Sequence, residues 1–366
     1  MTIPTLKLNT GAPIPALGFG TFQNEGSPGK CHDAVLWALQ SGYRHLDCAW
    51  YYKNEEEVGS GLREFLSSNP SVKRSDIFIT TKVWPHLCGS PEDVEWSLNY
   101  SLEKLGVDYV DSFLMHWPFA AERTDDYEVK IGDDGKYIIN KEVTANLEPI
   151  WRRFEALNKA GKAKAIGVSN FTISNLQALL KYADVPPAIN QVEIHPVWPN
   201  TKLINYCFSK NILPVAYSPL GSQSQVPTTG KTVIQNSELI SIAEKKGVSI
   251  GQILIAWGIK RGYVVLPMSS NEGRIKTNGT LVDLTEEEFE KMNKVSEGNE
   301  TRFVDLKNTF GWEVFGMSKE MGSQADNWPC RAVYSYCSVP RNARYHYQVN
   351  SNYDACFHIR EASTAK

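Results

Sequence analysis

The chain lacks any apolar run approaching the roughly 18–20 residues that a membrane-spanning helix requires. Its first residues, Met1-Thr2-Ile3-Pro4-Thr5, show no charged-then-apolar leader. It has little charge imbalance: 38 Lys and Arg stand against 41 Asp and Glu, a formal net charge of −3. That balance removes the electrostatic case for nucleic acid or an anionic membrane as partner. It is poor in cysteine, with seven residues, an odd number without metal-ligand spacing. Reduced thiols in a cytoplasmic protein, with no metal, are therefore expected. Cys48 reads as a small packing residue. No Gly-x-Gly-x-x-Gly follows a strand; Leu17-Gly18-Phe19-Gly20-Thr21-Phe22 lacks the third glycine. That excludes an open dinucleotide-binding sheet of the doubly wound kind.

What is present is an alternation of short apolar runs with amphipathic ones. The apolar runs are Leu17–Gly20, His45–Asp47, Phe78–Lys82, Asp111–His116, Ala165–Ser169, Ile189–Glu193, Leu213–Tyr217 and Val264–Pro267. Rich in Ile, Val, Leu and Phe, they suit strands buried on both faces. The runs between them carry helix caps. Ser90-Pro91 opens one and Gly106 stops it; Ser249–Gln252 and Thr285–Glu288 read as capping boxes. Asn54 with Glu57 three residues later reads as another. A hairpin is expected over Thr5–Pro15, around Asn9-Thr10-Gly11. The pattern predicts an α/β fold: a (β/α)8 TIM-type barrel over residues 1–316 with an N-terminal β-hairpin. The connection 119–147 is too long for a plain loop. Asp133-Asp134-Gly135 suggests a small hairpin inside it, and it should overhang the substrate.

Chemistry-bearing residues gather at strand ends. Gly42–Asp47 reads as a buried strand, with Tyr52 on the loop that follows. In parallel α/β folds that end carries the site. Lys82 ends another apolar run, where an ammonium is costly unless paired, and Asp47 is the evident counter-charge. A phenol beside an ammonium loses its proton more readily, which makes Tyr52 a candidate general acid. His116 could donate to a carbonyl oxygen and orient it. Two other readings use the same residues. Lys82 could be a Schiff-base nucleophile of an aldolase barrel, or His45, Asp47, His116 and His195 could be ligands in a metal hydrolase. Against the second, His195 before Pro196 suits a loop anchor.

Over residues 5–316 the sequence resembles the aldo-keto reductase family. The matching segments are Leu17–Thr21, Gly42–Gly59, Thr81–Trp84, Leu114–Pro118, Gly167–Phe171, Asn190–Pro196, Tyr217–Ser222, and Leu266–Ser270 with Arg274 and Asn278. Within the family the likeness is to fungal glyceraldehyde reductase, glycerol dehydrogenase and erythrose reductase members. Asn24-Glu25-Gly26, Trp50-Tyr51-Tyr52 and Gln225–Gly230 carry that narrower likeness. The resemblance implies NADPH-dependent reduction of short polyhydroxylated or sugar-derived aldehydes. Tyr52 would be the proton donor, Lys82 and Asp47 its tuners, and His116 the carbonyl orienter. Tyr217 would stack on the nicotinamide, with Ser169, Asn170 and Gln191 on its carboxamide and Thr21 nearby. Ser218, Leu220 and Ser222 would follow the pyrophosphate. Ser269, Ser270, Arg274 and Asn278 would hold the adenosine end. Phe22, Trp50, Trp84 and Trp117, with His116, would line the substrate pocket. The expected partner is a small aldehyde, and the expected state a monomer or weak dimer. A non-catalytic nicotinamide-binding protein is a rival that the intact tetrad argues against.

The sequence departs from the family pattern at several positions. Met268 stands where a Lys usually contacts the 2′-phosphate, which implies some NADH use. Ser224 matches an Asp that helps clamp the cofactor in some members, and Phe22 replaces a common Trp. Residues 317–366 have no family counterpart, no Leu and a single Ile. They read as a tail outside the barrel, without the apolar content to fold. A chain ending at Gly316 is therefore expected to match the full chain in thermal stability and activity. A large fall in Tm on truncation would show that the tail belongs to the core.

Overall fold

The computed structural model describes residues 3–22, 29–221, 232–298 and 300–315. The features expected at 24–26, 222–230 and 317–366 lie outside the described residues. Two strands, β1 (Thr5–Lys7) and β2 (Pro13–Pro15), pair antiparallel as the expected hairpin. Eight more form one parallel sheet in chain order: β3 (Phe19–Gly20), β4 (His45–Asp47), β5 (Phe78–Val83), β6 (Val110–Met115), β7 (Ala163–Ser169), β8 (Ile189–Glu193), β9 (Leu213–Tyr217) and β10 (Val264–Leu266). Backbone bonds close the sheet on itself. Val265 donates to Ala16 at 2.9 Å, and Gly18 donates back to Val265 at 2.9 Å. A barrel satisfies every strand edge in this way.

The hairpin plugs one end. Leu8 and Ile14 are buried in one apolar cluster with Phe78, Ile189, Leu213 and Val264, all at or next to the amino ends of their strands. The carboxyl ends are left for chemistry. Helices form where the caps predicted them. Ser90 Oγ accepts from Asp93 N at 3.1 Å, and Gly106 ends that helix in the left-handed region. Ser249 and Thr285 head complete capping boxes. Gly59 sits where two helices touch: a β-carbon there would come within 2.4 Å of the Leu105 carbonyl oxygen. The 119–147 connection folds back through bridges Arg123↔Val129 and Ile131↔Tyr137, with Gly135 at the turn. Among the described residues, no helix is long and apolar enough to cross a membrane.

The capping box expected at Asn54 is not formed. Asn54 makes no side-chain cap and instead donates to the Thr21 carbonyl at 2.8 Å. Glu57 turns away to the start of helix Lys30–Gln40, accepting from Gly29 N and Cys31 N at 3.0 Å each. A carboxylate there takes two amides that would otherwise lack partners and meets the positive end of the helix dipole. Hydrogen bonds to charged groups are worth about 1.5–3 kcal/mol. Glu57→Ala is expected to destabilise by about that amount, read as a lower midpoint in urea with unchanged slope. Unaltered stability would mean that water serves these amides equally well.

Candidate active site

The site begins with strand register. Asp47 on β4 pairs with Thr80 on β5, so Lys82, two residues on, lies on the same face. Lys82 is fully buried, and its Nζ donates to Asp47 Oδ2 at 2.7 Å, to the Cys48 carbonyl at 2.8 Å and to the Tyr52 hydroxyl at 3.2 Å. All three ammonium protons are thus engaged. The second oxygen of Asp47 accepts from Gln191 Nε2 at 2.7 Å. Tyr52 reaches this cluster from a short 3-10 turn, Trp50–Tyr52, directly after β4. His116 follows β6, its ring 6.0 Å from that of Tyr52 and 4.8 Å from that of Trp84.

Burial alone would lower the Lys82 pKa, but Asp47 and Tyr52 hold it above its ordinary value, so it stays an ammonium. Tyr52 differs from the sequence expectation. Burial pushes it up to about 12, against the downward pull of Lys82 and with a further upward push from Asp47. The nearby cation does not win, because Asp47 offsets much of its field and desolvation opposes phenolate. Tyr52 is therefore a protonated phenol at neutral pH. Burial, with Lys82 adding to it, holds His116 well below its usual range, so its ring is neutral.

These groups open onto a cavity of about 980 Å³. Asp47, Tyr52, Trp84, His116, Trp117 and Phe22 line one part of it, joined by Asn170, Gln191 and Tyr217. Tyr217 donates to Asn170 Oδ1 at 2.8 Å, and Asn170 Nδ2 donates to the His116 carbonyl at 3.0 Å. Ser218 and Leu220 continue the lining, followed by Met268, Ser269, Ser270, Arg274 and Asn278. Ser269 Oγ accepts from Arg274 Nε at 3.3 Å, which fixes the guanidinium. Asn271 caps the helix Glu272–Gly279 at this end. Met268 is 41% exposed.

Several expected contacts fall elsewhere. Trp50 does not line the cavity; it is buried against the His86 ring, with the Lys53 ammonium 3.4 Å from its own ring. The turn places Tyr51 there instead, stacked on Trp84 at 3.7 Å. Thr21 and Ser169 are fully buried and outside the lining. Thr21 Oγ1 donates to the Asp47 carbonyl at 2.9 Å and Ser169 Oγ to the Gln191 carbonyl at 2.8 Å, so each fixes a neighbour of the cavity. The 119–147 connection contributes no residue to the cavity lining itself. Its Tyr137 hydroxyl accepts from Trp84 Nε1 at 3.2 Å and so backs the wall. Ser222 lies outside the described residues. Sequence reasoning missed Val304 and Leu306, which line the cavity from a stretch without periodicity. His45 and His195 stand apart from the site. His45 Nε2 meets Thr80 Oγ1 at 3.2 Å and His195 meets Glu193 at 2.9 Å, the loop anchor expected of it. Among the described residues, no group of three or more His, Cys, Asp or Glu is placed to hold a metal ion.

The chain matches known proteins over most of its length. The aldo/keto reductase family profile matches residues 16–297. The chain is 56% identical over 315 residues to glycerol 2-dehydrogenase (NADP(+)) of Hypocrea jecorina, covering 86% of this chain and 99% of that protein. It is 42% identical over 317 residues to the Saccharomyces cerevisiae protein of the same name, covering 85% and 96% respectively. An aldo-keto reductase of Bombyx mori, solved in complex with NADP, superposes with a TM-score of 0.73 at 31% identity, over 84% of this chain and 97% of that one. The match runs through every strand of the barrel, β5 with Lys82 included, and through the segments that carry Tyr52 and His116, and on that basis the chain belongs to the aldo/keto reductase family of oxidoreductases.

Proposed function

We propose that this enzyme uses NADPH to reduce short polyhydroxylated, sugar-derived aldehydes to alcohols, with Tyr52 as the proton donor. The observation that carries the reading is the buried chain Asp47–Lys82–Tyr52, ending in a neutral phenol at the cavity wall. The relatives named aldehyde reductase and D/L-glyceraldehyde reductase support the substrate class, and those named glycerol 2-dehydrogenase (NADP(+)) support the cofactor. Four buried free cysteines among the described residues suit a reducing, cytoplasmic setting.

The cavity fits NADPH by its donor chemistry. Arg274, Ser269 and Ser270 and the amino end of the helix after Asn271 suit a phosphate. Tyr217 offers a ring, and Asn170 and Gln191 offer amides, for the nicotinamide end. When bound, NADPH supplies the hydride. The protein's own part is to hold the aldehyde oxygen and to protonate it. His116, kept neutral, can donate to that oxygen without adding a charge beside Lys82. Tyr52 gives up its proton as negative charge develops on the oxygen, and Lys82 stabilises the phenolate left behind. Asp47, held by Gln191, keeps Lys82 charged and aimed. A Schiff-base role for Lys82 is disfavoured, because an ammonium with all its protons engaged is no nucleophile.

Tyr52→Phe is expected to retain NADPH binding and lose about 10²–10⁴-fold in aldehyde reduction. Undiminished turnover in that variant would take the role from Tyr52. For the cofactor, Met268 brings neither charge nor donor to the phosphate end, and Arg274 remains. NADPH preference is expected to persist with measurable NADH use. Met268→Lys should tighten NADPH by about one to two powers of ten and leave NADH nearly unchanged. Equal shifts in both dissociation constants would mean that position 268 does not face the 2′-phosphate.

A further inference from the structure

Residues 300–315 return to the barrel after the helix Glu286–Asn293 and give Val304 and Leu306 to the cavity wall. Their only regular element is the four-residue helix Lys307–Phe310. The loop after β8 holds them. Glu193 ends β8 and is 2% exposed. Its Oε1 accepts from Phe303 N at 2.9 Å and its Oε2 from Val304 N at 2.9 Å. His195 is fully buried and its Nε2 meets the same Oε1 at 2.9 Å, while its Nδ1 accepts from Trp198 N at 3.0 Å. The second contact fixes the tautomer, so that Nε2 is the donor. The imidazole also stacks on Phe303, with centroids 5.0 Å apart. Thr301 N donates to the Val197 carbonyl at 2.9 Å. The Arg302 guanidinium lies 4.6 Å from the Trp198 ring and 3.5 Å from that of Phe315.

This attachment reaches the pocket aromatics. Phe315 is 6.0 Å and Phe310 5.0 Å from Trp117, and Phe310 is 5.9 Å from Trp84. Trp84 and Trp117 both line the cavity. A single carboxylate thus holds two consecutive amides of an otherwise irregular segment, in a setting where an unmatched N–H is costly.

We propose that Glu193 and His195 are positioning residues. They latch residues 301–306 in place as a wall of the cavity, and so set which aldehydes it accepts. The proposal rests on the reading that the aldehyde occupies this cavity. The carboxylate is essential to it. A glutamine at 193 would accept one amide and present its own N–H to the other. The latch touches neither Tyr52 nor Lys82, so its loss should loosen aldehyde binding more than it slows proton donation.

The test compares the full chain with Glu193→Gln and with Phe315→Ala, which weakens the latch from its far end and leaves β8 intact should the first variant fold poorly. Amide hydrogen exchange should rise at least about tenfold at Phe303 and Val304 while the barrel strands stay protected. In steady-state reduction, KM for glyceraldehyde should rise about tenfold, with kcat and the NADPH dissociation constant changing little. The ratio of kcat/KM between glyceraldehyde and a bulky aromatic aldehyde should fall. Unchanged exchange in folded variants would overturn the latch. Faster exchange with unmoved KM and selectivity would overturn its role in substrate choice, as would a loss confined to kcat. Exchange requires no turnover. If the unaltered enzyme reduces no aldehyde, the functional reading fails while the latch is still judged on its own.

Discussion

The structure is organised around one buried ammonium. Removing a lysine charge from water costs several kcal/mol even after relaxation, and Lys82 is fully buried. The fold answers with a carboxylate, a carbonyl and a phenol, one for each proton. Those partners come from β4 and the turn after it, so the register between β4 and β5 decides whether the charge is tolerated. A one-residue slip would turn Lys82 to the opposite face of the sheet. The arrangement that makes the charge tolerable also leaves a phenol beside it, facing the cavity.

Supports converge on this pair from both sides of the sheet. On the cavity side, Gln191 holds the second oxygen of Asp47, and Thr21 holds the Asp47 carbonyl. Behind β5, Glu55 accepts from Thr81 Oγ1 at 2.5 Å and from Ser101 Oγ at 2.8 Å. Burial raises the Glu55 pKa, and the two hydroxyls work against that rise. Glu55 opens the helix that follows Tyr52, and Thr81 precedes Lys82 in the chain. One contact therefore ties the turn bearing the phenol to the strand bearing the ammonium. Networks of this kind hold geometry only when every member is satisfied.

The remainder of the cavity divides by chemistry. Near Tyr52 the walls are aromatic, with Tyr51 stacked on Trp84 and Phe22 edge-on to Tyr52 at 5.1 Å. Near Arg274 they carry hydroxyls, a guanidinium and a helix amino end. Met268 brings an apolar side chain to that end. Between the two, Asn170 links the Tyr217 hydroxyl to the His116 backbone. It does so at a φ of 62°, a left-handed conformation that asparagine tolerates better than most residues.

The sequence by itself determined the barrel, because the information is local. Short runs of Ile, Val, Leu and Phe, separated by capped amphipathic helices, have few other ways to bury both faces of each strand. The tetrad was legible for a related reason: a lysine, an aspartate and a histidine at apolar strand ends need partners, and the carboxyl end of the barrel is where such ends meet. Tertiary structure decided the rest. Asn54 and Glu57 have capping-box spacing, but Glu57 finds better use at a helix that only folding brings near. Trp50 and Tyr51 are neighbours in a three-residue turn, and its rotation alone chooses which ring faces the cavity. The proximity of Lys82 to Tyr52 could be anticipated, but the burial that raises the phenol's pKa against that cation is summed over every surrounding atom. Glu193 reaches amides more than a hundred positions away in the chain. No spacing rule carries a contact of that range, because it exists only once the barrel has closed and the returning segment has found its place.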